Sequence, residues 1–196
     1  LLLGRAVILY EISPFALAFL AAASFMKIKR KFTVTLFVLL GAWTYSLPHG
    51  LYMTVMVMIF FTIYYFIQHR TELKGLMFAI FLSTALARLF LFSLQGKVTL
   101  YEGLHIIVEA VLAIVLLLIF MQSIPLLSQQ HYKPKLKNEE LICLIILFSS
   151  ILTGFIGWEL YGISFEHIFS RYIVLLLAFV GGAAVGSTVG VVGGLI

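Results

Sequence analysis

Long apolar stretches, separated by short polar loops, occupy almost the whole sequence. A helix needs about 20 mostly apolar residues to cross the hydrocarbon core, where its backbone N–H and C=O groups must be paired within the segment. This length predicts a truncated first segment at residues 1–10, then the segments 13–26, 32–47, 51–68, 75–94, 104–124, 139–157 and 167–196. The Ser13-Pro14 pair predicts a turn near residues 11–14, because the residue before a proline tends to leave the helical conformation. The fold class expected is therefore all-α, a polytopic transmembrane helical bundle of about seven to eight membrane segments with the first and last truncated.

Composition supports a membrane domain over a soluble one. Hydrophobic residues make up 63% of the chain, whereas roughly 45–50% is usual in a soluble globular domain. The net charge of +5 does not predict a nucleic-acid partner, since the cations are scattered between apolar stretches rather than gathered on one face. We expect residues 1–196 to form one multi-span membrane anchor domain in contact with the lipid bilayer.

Loops rich in Lys and Arg alternate with loops that hold almost none, as expected for a chain that crosses the membrane repeatedly. Lys and Arg collect in cytoplasmic loops, and one set of alternate loops holds nine of them while the other set holds only Lys97. This asymmetry predicts a multi-pass plasma membrane protein with the basic loops inside. The residues predicted to anchor the chain at the cytoplasmic surface are Lys27, Lys29, Arg30, Lys31, Lys133, Lys135 and Lys137. The loop with the last three lysines is also open to interpretation as a docking surface for a cytoplasmic partner.

Ionisable residues inside membrane helices are costly and often functional. Arg88 and Glu109 each lie about six residues from the outward ends of neighbouring predicted helices, so they are expected to form an intramembrane ion pair. A functional alternative joins these two residues with His105 and Arg171 in a proton or ligand pathway. The cytoplasmic halves of the same helices are almost wholly apolar, which favours the structural ion pair.

Glycine recurs at every fourth position of the last segment. Gly182, Gly186, Gly190 and Gly194 are predicted to form a ridge of small residues that lets another helix approach closely. The partner helix belongs either to the same chain or to a second protomer in a self-associated form. The stretch holds no lysine, so it is not a phosphate-binding loop.

Other functional classes lack the residues that they need. A small-molecule transporter or substrate-binding membrane subunit, the main alternative, usually has a polar site at the midplane on interrupted helices. An intramembrane enzyme needs a nucleophile and a base at one depth, and Glu109 is the one carboxylate well inside a predicted span. The histidines and Cys143 show no metal-ligand spacing, so we expect no catalytic residue, no metal site and no cofactor in this chain.

Five strings of residues occur in a characteristic order: Leu2-Leu3-Gly4-Arg5-Ala6, Gln122-Ser123-Ile124-Pro125-Leu126-Leu127, Leu136-Lys137-Asn138-Glu139-Glu140, Glu166-His167-Ile168-Phe169-Ser170-Arg171-Tyr172, and Gly186-Ser187-Thr188-Val189-Gly190-Val191-Val192. Together they resemble the N-terminal membrane region of the stage II sporulation protein E family of endospore-forming bacteria. The resemblance runs along essentially the whole chain.

This resemblance implies a longer parent protein, of which the chain is the membrane anchor fragment. The family carries a central region that associates with a division-ring protein at the polar septum, and a C-terminal type 2C serine phosphatase. The phosphatase acts on a phosphorylated anti-anti-sigma factor and thereby activates the forespore sigma factor, using manganese or magnesium held by aspartates. The chain contains no aspartate, so its implied tasks are anchoring, septal placement and self-association.

Overall fold

The computed structural model describes residues 1–8, 12–26, 28, 30–67, 73–95, 100–128, 138–160 and 163–194. Helices dominate, which confirms the predicted all-α bundle, and one short antiparallel hairpin joins the last two helices. The elements are α1 Leu2–Arg5, α2 Pro14–Phe25, α3 Lys31–Tyr45, α4 Leu47–Ile67, α5 Leu73–Gln95, α6 Leu100–Ser128, α7 Asn138–Thr153, β1 Glu159–Leu160, β2 Ile163–Ser164 and α8 Phe165–Gly194.

Within the described ranges, three helices are long and apolar enough to cross a membrane. They lie in α4, α5 and α6, over Leu47–Ile67, Leu73–Ser93 and Tyr101–Leu126. They overlap the predicted segments 51–68, 75–94 and 104–124. The apolar helices α2 and α3 are shorter, with 12 and 15 residues. They correspond to the predicted segments 13–26 and 32–47, and α7 corresponds to 139–157.

The helix α2 forms the centre of the bundle. Its side chains are buried from Pro14 to Ser24 with the exception of Phe19, which packs edge-on against Phe120 of α6. A helix that is apolar on every side belongs inside a protein, and the many alanines of α2 allow α3, α5 and α6 to come close. The proline at its first position has no N–H to leave unpaired, so it suits the start of a helix.

The first segment differs from the prediction of a helix over residues 1–10. The helix α1 ends at Arg5, and Ala6 is extended with φ −66° and ψ 115°. The chain then reverses direction, because Ile8 and Ile12 exchange two backbone hydrogen bonds of 2.7 and 2.9 Å. The reversal lies close to the predicted turn at 11–14 and leads directly into α2.

Glycines bring α1 into backbone contact with α3 and α7. A Cβ atom added to Gly4 would meet the Val38 carbonyl oxygen, and one added to Gly41 would meet the Leu1 carbonyl oxygen. A Cβ on Gly154, which directly follows α7, would meet the Leu2 carbonyl oxygen in the same way. Such close approach places Cα–H groups against carbonyl oxygens, a weak but recurrent interaction at helix interfaces.

The last segment is a helical hairpin, which corrects the prediction of one unbroken segment over 167–196. Gly182 has φ 81° and ψ 178°, a conformation that breaks α8 into two arms and that is essentially confined to glycine. A Cβ on Gly186 would contact the Ala178 side chain, although residues eight apart in a straight helix are separated by about 12 Å. The two arms therefore fold back against each other around Gly182.

Candidate functional site

A carboxylate buried between four elements is the main polar feature of the bundle. Glu109 of α6 is 1% exposed. Its Oε2 lies 2.6 Å from Nε of Arg88 on α5. Its Oε1 accepts hydrogen bonds from the Tyr52 hydroxyl of α4, at 3.1 Å, and from the backbone N–H of Ser13 ahead of α2, at 3.0 Å. The structure thus brings together the two residues that the sequence analysis singled out as an ion pair.

Arg88 is enclosed on a second side by an aromatic ring. Its guanidinium carbon lies 4.2 Å from the centre of the Tyr52 ring, well within the range of a cation–π interaction. Tyr52 therefore contacts both charges of the pair, one through its hydroxyl and the other through its ring face. We name Ser13, Tyr52, Arg88 and Glu109 the Glu109 network.

Ser13 places the partial positive charge at the start of α2 beside this network. Ser13 is the N-cap of α2, and its N–H points to Glu109. The N-terminal end of a helix carries partial positive charge, which favours a carboxylate beside it. Two cationic or partly positive groups, Arg88 and the start of α2, thus offset the cost of burying the Glu109 charge.

The network is suited to holding helices together rather than to chemistry on a substrate. Both oxygens of Glu109 are engaged by donors of the protein, and burial keeps solvent and small molecules away from them. His105, which lies one turn away on α6, stacks on Tyr101 with ring centres 5.5 Å apart. Arg171 is exposed on α8, a helix that packs against α7 and the β-hairpin.

A second polar cluster, built around Arg5, joins the ends of α1, α3 and α7. The Arg5 guanidinium donates a hydrogen bond of 3.3 Å to the Ile156 carbonyl oxygen and lies 4.9 Å from the Trp158 ring centre. The centre of the Tyr45 ring lies 6.0 Å from the same guanidinium carbon. Sequence analysis missed this cluster, since α1, α3 and α7 are distant in sequence and nothing local indicates that they meet.

His49 lies beside the Arg5 cluster. Its ring Nε2 is 3.1 Å from the Gly4 carbonyl oxygen, and its backbone N–H donates a 3.3 Å hydrogen bond to the Ser46 hydroxyl. Ser46 precedes α4 and so caps it. These contacts connect α1 to the start of α4.

The glycine series of α8 does not act as one ridge. Gly182 is the bend, and Gly186 faces Ala178 of the other arm, while a Cβ on Gly190 would lie 3.6 Å from a Val174 methyl carbon. The surroundings of Gly194 lie outside the part that the structure describes. The partner surface of Gly186 and Gly190 is thus a stretch of the same helix pair.

Comparison with known proteins places this sequence in a family. Residues 1–196 match the family model described as SpoIIE, N-terminal domain. The chain belongs to this family. Stage II sporulation protein E of Bacillus subtilis (strain 168) is 43% identical over 198 residues, covering 100% of this chain and 24% of the relative. The chain therefore spans about a quarter of the length of that relative. No solved structure matches the chain.

Two of the basic residues predicted to anchor this SpoIIE N-terminal domain are described by the structure. Arg30 is the N-cap of α3, and Lys31 begins that helix with its Nζ 5.8 Å from the Tyr64 ring centre. The remaining five lie outside the described residues: Lys27, Lys29, Lys133, Lys135 and Lys137.

Metal-ligating side chains are not clustered in the described part of the SpoIIE N-terminal domain. Within the described ranges, no three histidine, cysteine, aspartate or glutamate residues lie together as a metal site would require. Cys143 instead donates a hydrogen bond of 3.0 Å to the Gln122 side-chain carbonyl oxygen and links α7 to α6.

Proposed function

We propose that this chain is the multi-pass membrane domain through which a sporulation protein is anchored in the plasma membrane and placed at the polar septum. The observation that carries the proposal is the outward surface of the long helices. Large apolar side chains such as Met58 on α4, Phe78 on α5 and Val115 on α6 are exposed. Large apolar side chains exposed along a helix are typical of a membrane or protein interface, and these helices have the length to cross a bilayer.

Membership of the SpoIIE N-terminal domain family supports the sporulation role. In the proposed parent protein, a type 2C phosphatase outside this chain removes phosphate from an anti-anti-sigma factor and so activates the forespore sigma factor. Manganese or magnesium would be bound there, and a division-ring protein would be contacted through the central region. The membrane domain would hold these parts at the septum and support self-association.

The Glu109 network favours an anchor over the alternative of a transporter. A transport site must expose polar groups to a substrate, whereas both Glu109 oxygens accept hydrogen bonds from the protein itself. The network joins α2, α4, α5 and α6, which is what a rigid anchor requires.

Orientation can be tested with two single cysteines at opposite ends of the bundle. Gly103 is exposed in the first turn of α6, and Lys74 is exposed in the first turn of α5. In a full-length protein without other reactive cysteines, Gly103→Cys is expected to react with an impermeant maleimide in intact cells. Lys74→Cys should react only after the membrane is permeabilised. Reaction of both variants in intact cells would contradict the multi-pass orientation.

Septal placement needs its own experiment in sporulating cells. A fluorescent fusion of the membrane domain is compared with one in which an unrelated multi-span anchor replaces it. Enrichment of the native domain alone at the polar septum would support a placement role for these helices. Uniform membrane fluorescence from the native domain would leave it an anchor and assign septal placement to other parts of the protein.

A further inference from the structure

A groove of about 680 Å³ runs between α3 and α4, at the end of the bundle where α3 begins. Its walls include Phe32, Thr35 and Leu39 of α3, and Val57, Phe61 and Thr62 of α4. The volume falls in the range of roughly 300–1,000 Å³ that is usual for ligand sites. The groove is therefore large enough for part of a small molecule or a lipid.

The two threonines do not make the groove polar. The Thr35 hydroxyl donates a 2.9 Å hydrogen bond to the Lys31 carbonyl oxygen, and the Thr62 hydroxyl donates a 2.8 Å hydrogen bond to the Met58 carbonyl oxygen. Each hydroxyl proton is thus used within its own helix, as is common for threonine in apolar helices. A hydrocarbon chain fits these walls better than a polar ligand does.

Lys31 brings a positive charge to one end of the groove. It lines the groove at the first residue of α3, and its ammonium lies near the face of the Tyr64 ring. Among the described residues, no carboxylate lies within ion-pair distance of this ammonium. The charge is accordingly available to an anionic group positioned at the end of the groove.

A smaller furrow of about 270 Å³ follows the exposed side of α3 toward Trp43. Phe32, Thr35 and Leu39 line both cavities, so they form a ridge between them. From Lys31 to Trp43 the helix rises about 18 Å. This distance is close to half of the roughly 30 Å hydrocarbon core, which is the depth of one leaflet.

We infer that the groove between α3 and α4 binds an anionic phospholipid of the leaflet on which α3 begins. One acyl chain lies in the groove, the second lies in the furrow beside Leu36 and Trp43, and the phosphate contacts Lys31. The alternation of basic loops makes this the cytoplasmic leaflet, where anionic lipids are concentrated. This inference rests on the membrane embedding proposed above, and it is independent of septal placement.

The test uses the full-length protein in nanodiscs that contain equal amounts of phosphatidylglycerol and phosphatidylcholine. Native mass spectrometry then measures which lipid stays bound after the disc is removed. We expect the unaltered protein to retain phosphatidylglycerol preferentially. Lys31→Gln should lower that preference about fivefold, the effect of one cation near an anionic headgroup, and Lys31→Arg should preserve it. Thr62→Trp, which fills the groove from an exposed position, should remove the retained lipid.

Two matched variants separate a built site from general attraction to anionic lipid. Lys74→Gln removes an exposed lysine from the first turn of α5, and Val111→Trp adds the same bulk to an exposed position of α6. Both should bind lipid as the unaltered protein does. Equal retention of the two lipids by the unaltered protein, or equal loss in Lys31→Gln and Lys74→Gln, would overturn the inference. Failure of the protein to enter nanodiscs at all would instead count against the membrane embedding.

Discussion

Glu109 receives hydrogen bonds from three other elements, so the free energy of unfolding should depend on both members of its ion pair. Arg88→Met leaves a buried carboxylate without its cation, and we expect a loss of about 3–5 kcal/mol. Glu109→Gln keeps an acceptor for Tyr52 and for the Ser13 N–H but leaves the buried Arg88 cation without its anion, so we expect a loss of comparable size. In a double-mutant cycle followed by unfolding in detergent, the double variant should lose about 0.5–3 kcal/mol less than the sum of the two single losses. Strict additivity would show that the two residues are not coupled.

Tyr52 and Tyr64 lie on the same helix and provide a matched pair of substitutions. The Tyr52 hydroxyl donates to a buried carboxylate, whereas the Tyr64 hydroxyl donates a 3.3 Å hydrogen bond to the Ser24 carbonyl oxygen in a partly buried site. Tyr52→Phe should therefore cost about 1.5–3 kcal/mol, and Tyr64→Phe about 0.5–1.5 kcal/mol at most. Unfolding midpoints of the two variants in the same detergent measure the difference. Equal midpoints would mean that the charge on Glu109 does not strengthen the Tyr52 hydrogen bond.

The ion pair was predictable from the sequence, because a charged side chain within an apolar membrane segment is costly and therefore stands out. Arg88 and Glu109 interrupt apolar stretches, and their similar depth in neighbouring helices indicated a pair. Tyr52 carried no such signal, because aromatic residues are common throughout these helices. The Ser13 N–H was equally hidden, since a backbone donor is present at every residue except proline and only the tertiary arrangement directs this one to Glu109.

At the scale of elements, the glycines that hold α1 against its neighbours give a direct test of packing. Gly4→Ala, Gly41→Ala and Gly154→Ala would each place a methyl group against a backbone carbonyl oxygen. Each is expected to lower the unfolding midpoint, because backbone cannot move aside as a flexible side chain can. Gly103→Ala is the control, since nothing lies within 4 Å of the added Cβ. It should raise stability by about 0.5–1 kcal/mol through helix propensity, and an equal loss in all four variants would contradict the packing.

The hairpin of α8 can be tested with a pair of cysteines. Val174 and Gly190 are in contact across the bend, although residues 16 apart in a straight helix are separated by about 24 Å. After Cys143 and other reactive cysteines are replaced, the pair Val174→Cys and Gly190→Cys should crosslink with a short bifunctional reagent. The pair Val174→Cys and Gly103→Cys is the negative control. Absence of crosslinking in the first pair would contradict the hairpin and favour a single straight helix.

Hydropathy predicted where helices lie but could not predict how segments fold back. The lengths of α4, α5 and α6 follow from apolar stretches alone. The bend at Gly182 depends on one glycine among several in the same stretch, and hydropathy treats them all alike. The early end of α1 at Arg5 has the same origin, because hydropathy does not distinguish the extended Ala6 from an alanine inside a helix.

For the whole molecule, the bundle combines a buried centre with an apolar exterior. The small side chains of α2 allow close packing around it, and the Glu109 network joins its start to α4, α5 and α6. Sequence reading predicted this all-α bundle and the pairing of Arg88 with Glu109. The order of helices around α2 could not be predicted, since every helix is apolar on most sides and periodicity does not mark one inward face.

The exterior provides the last prediction, because an exposed apolar side chain behaves differently in water and in lipid. Val115 is 47% exposed near the middle of α6, and Tyr101 is 70% exposed at the start of the same helix. On a water-facing surface, Val115→Arg would cost little. In a bilayer, an arginine at the centre of a helix costs about 2.5–3.5 kcal/mol on insertion scales, whereas one near the end reaches the interface. Val115→Arg should therefore reduce the fraction of the full-length protein that is inserted in the membrane, and Tyr101→Arg should not. Carbonate extraction measures this fraction. Equal insertion of both variants would show that this face of α6 does not contact lipid.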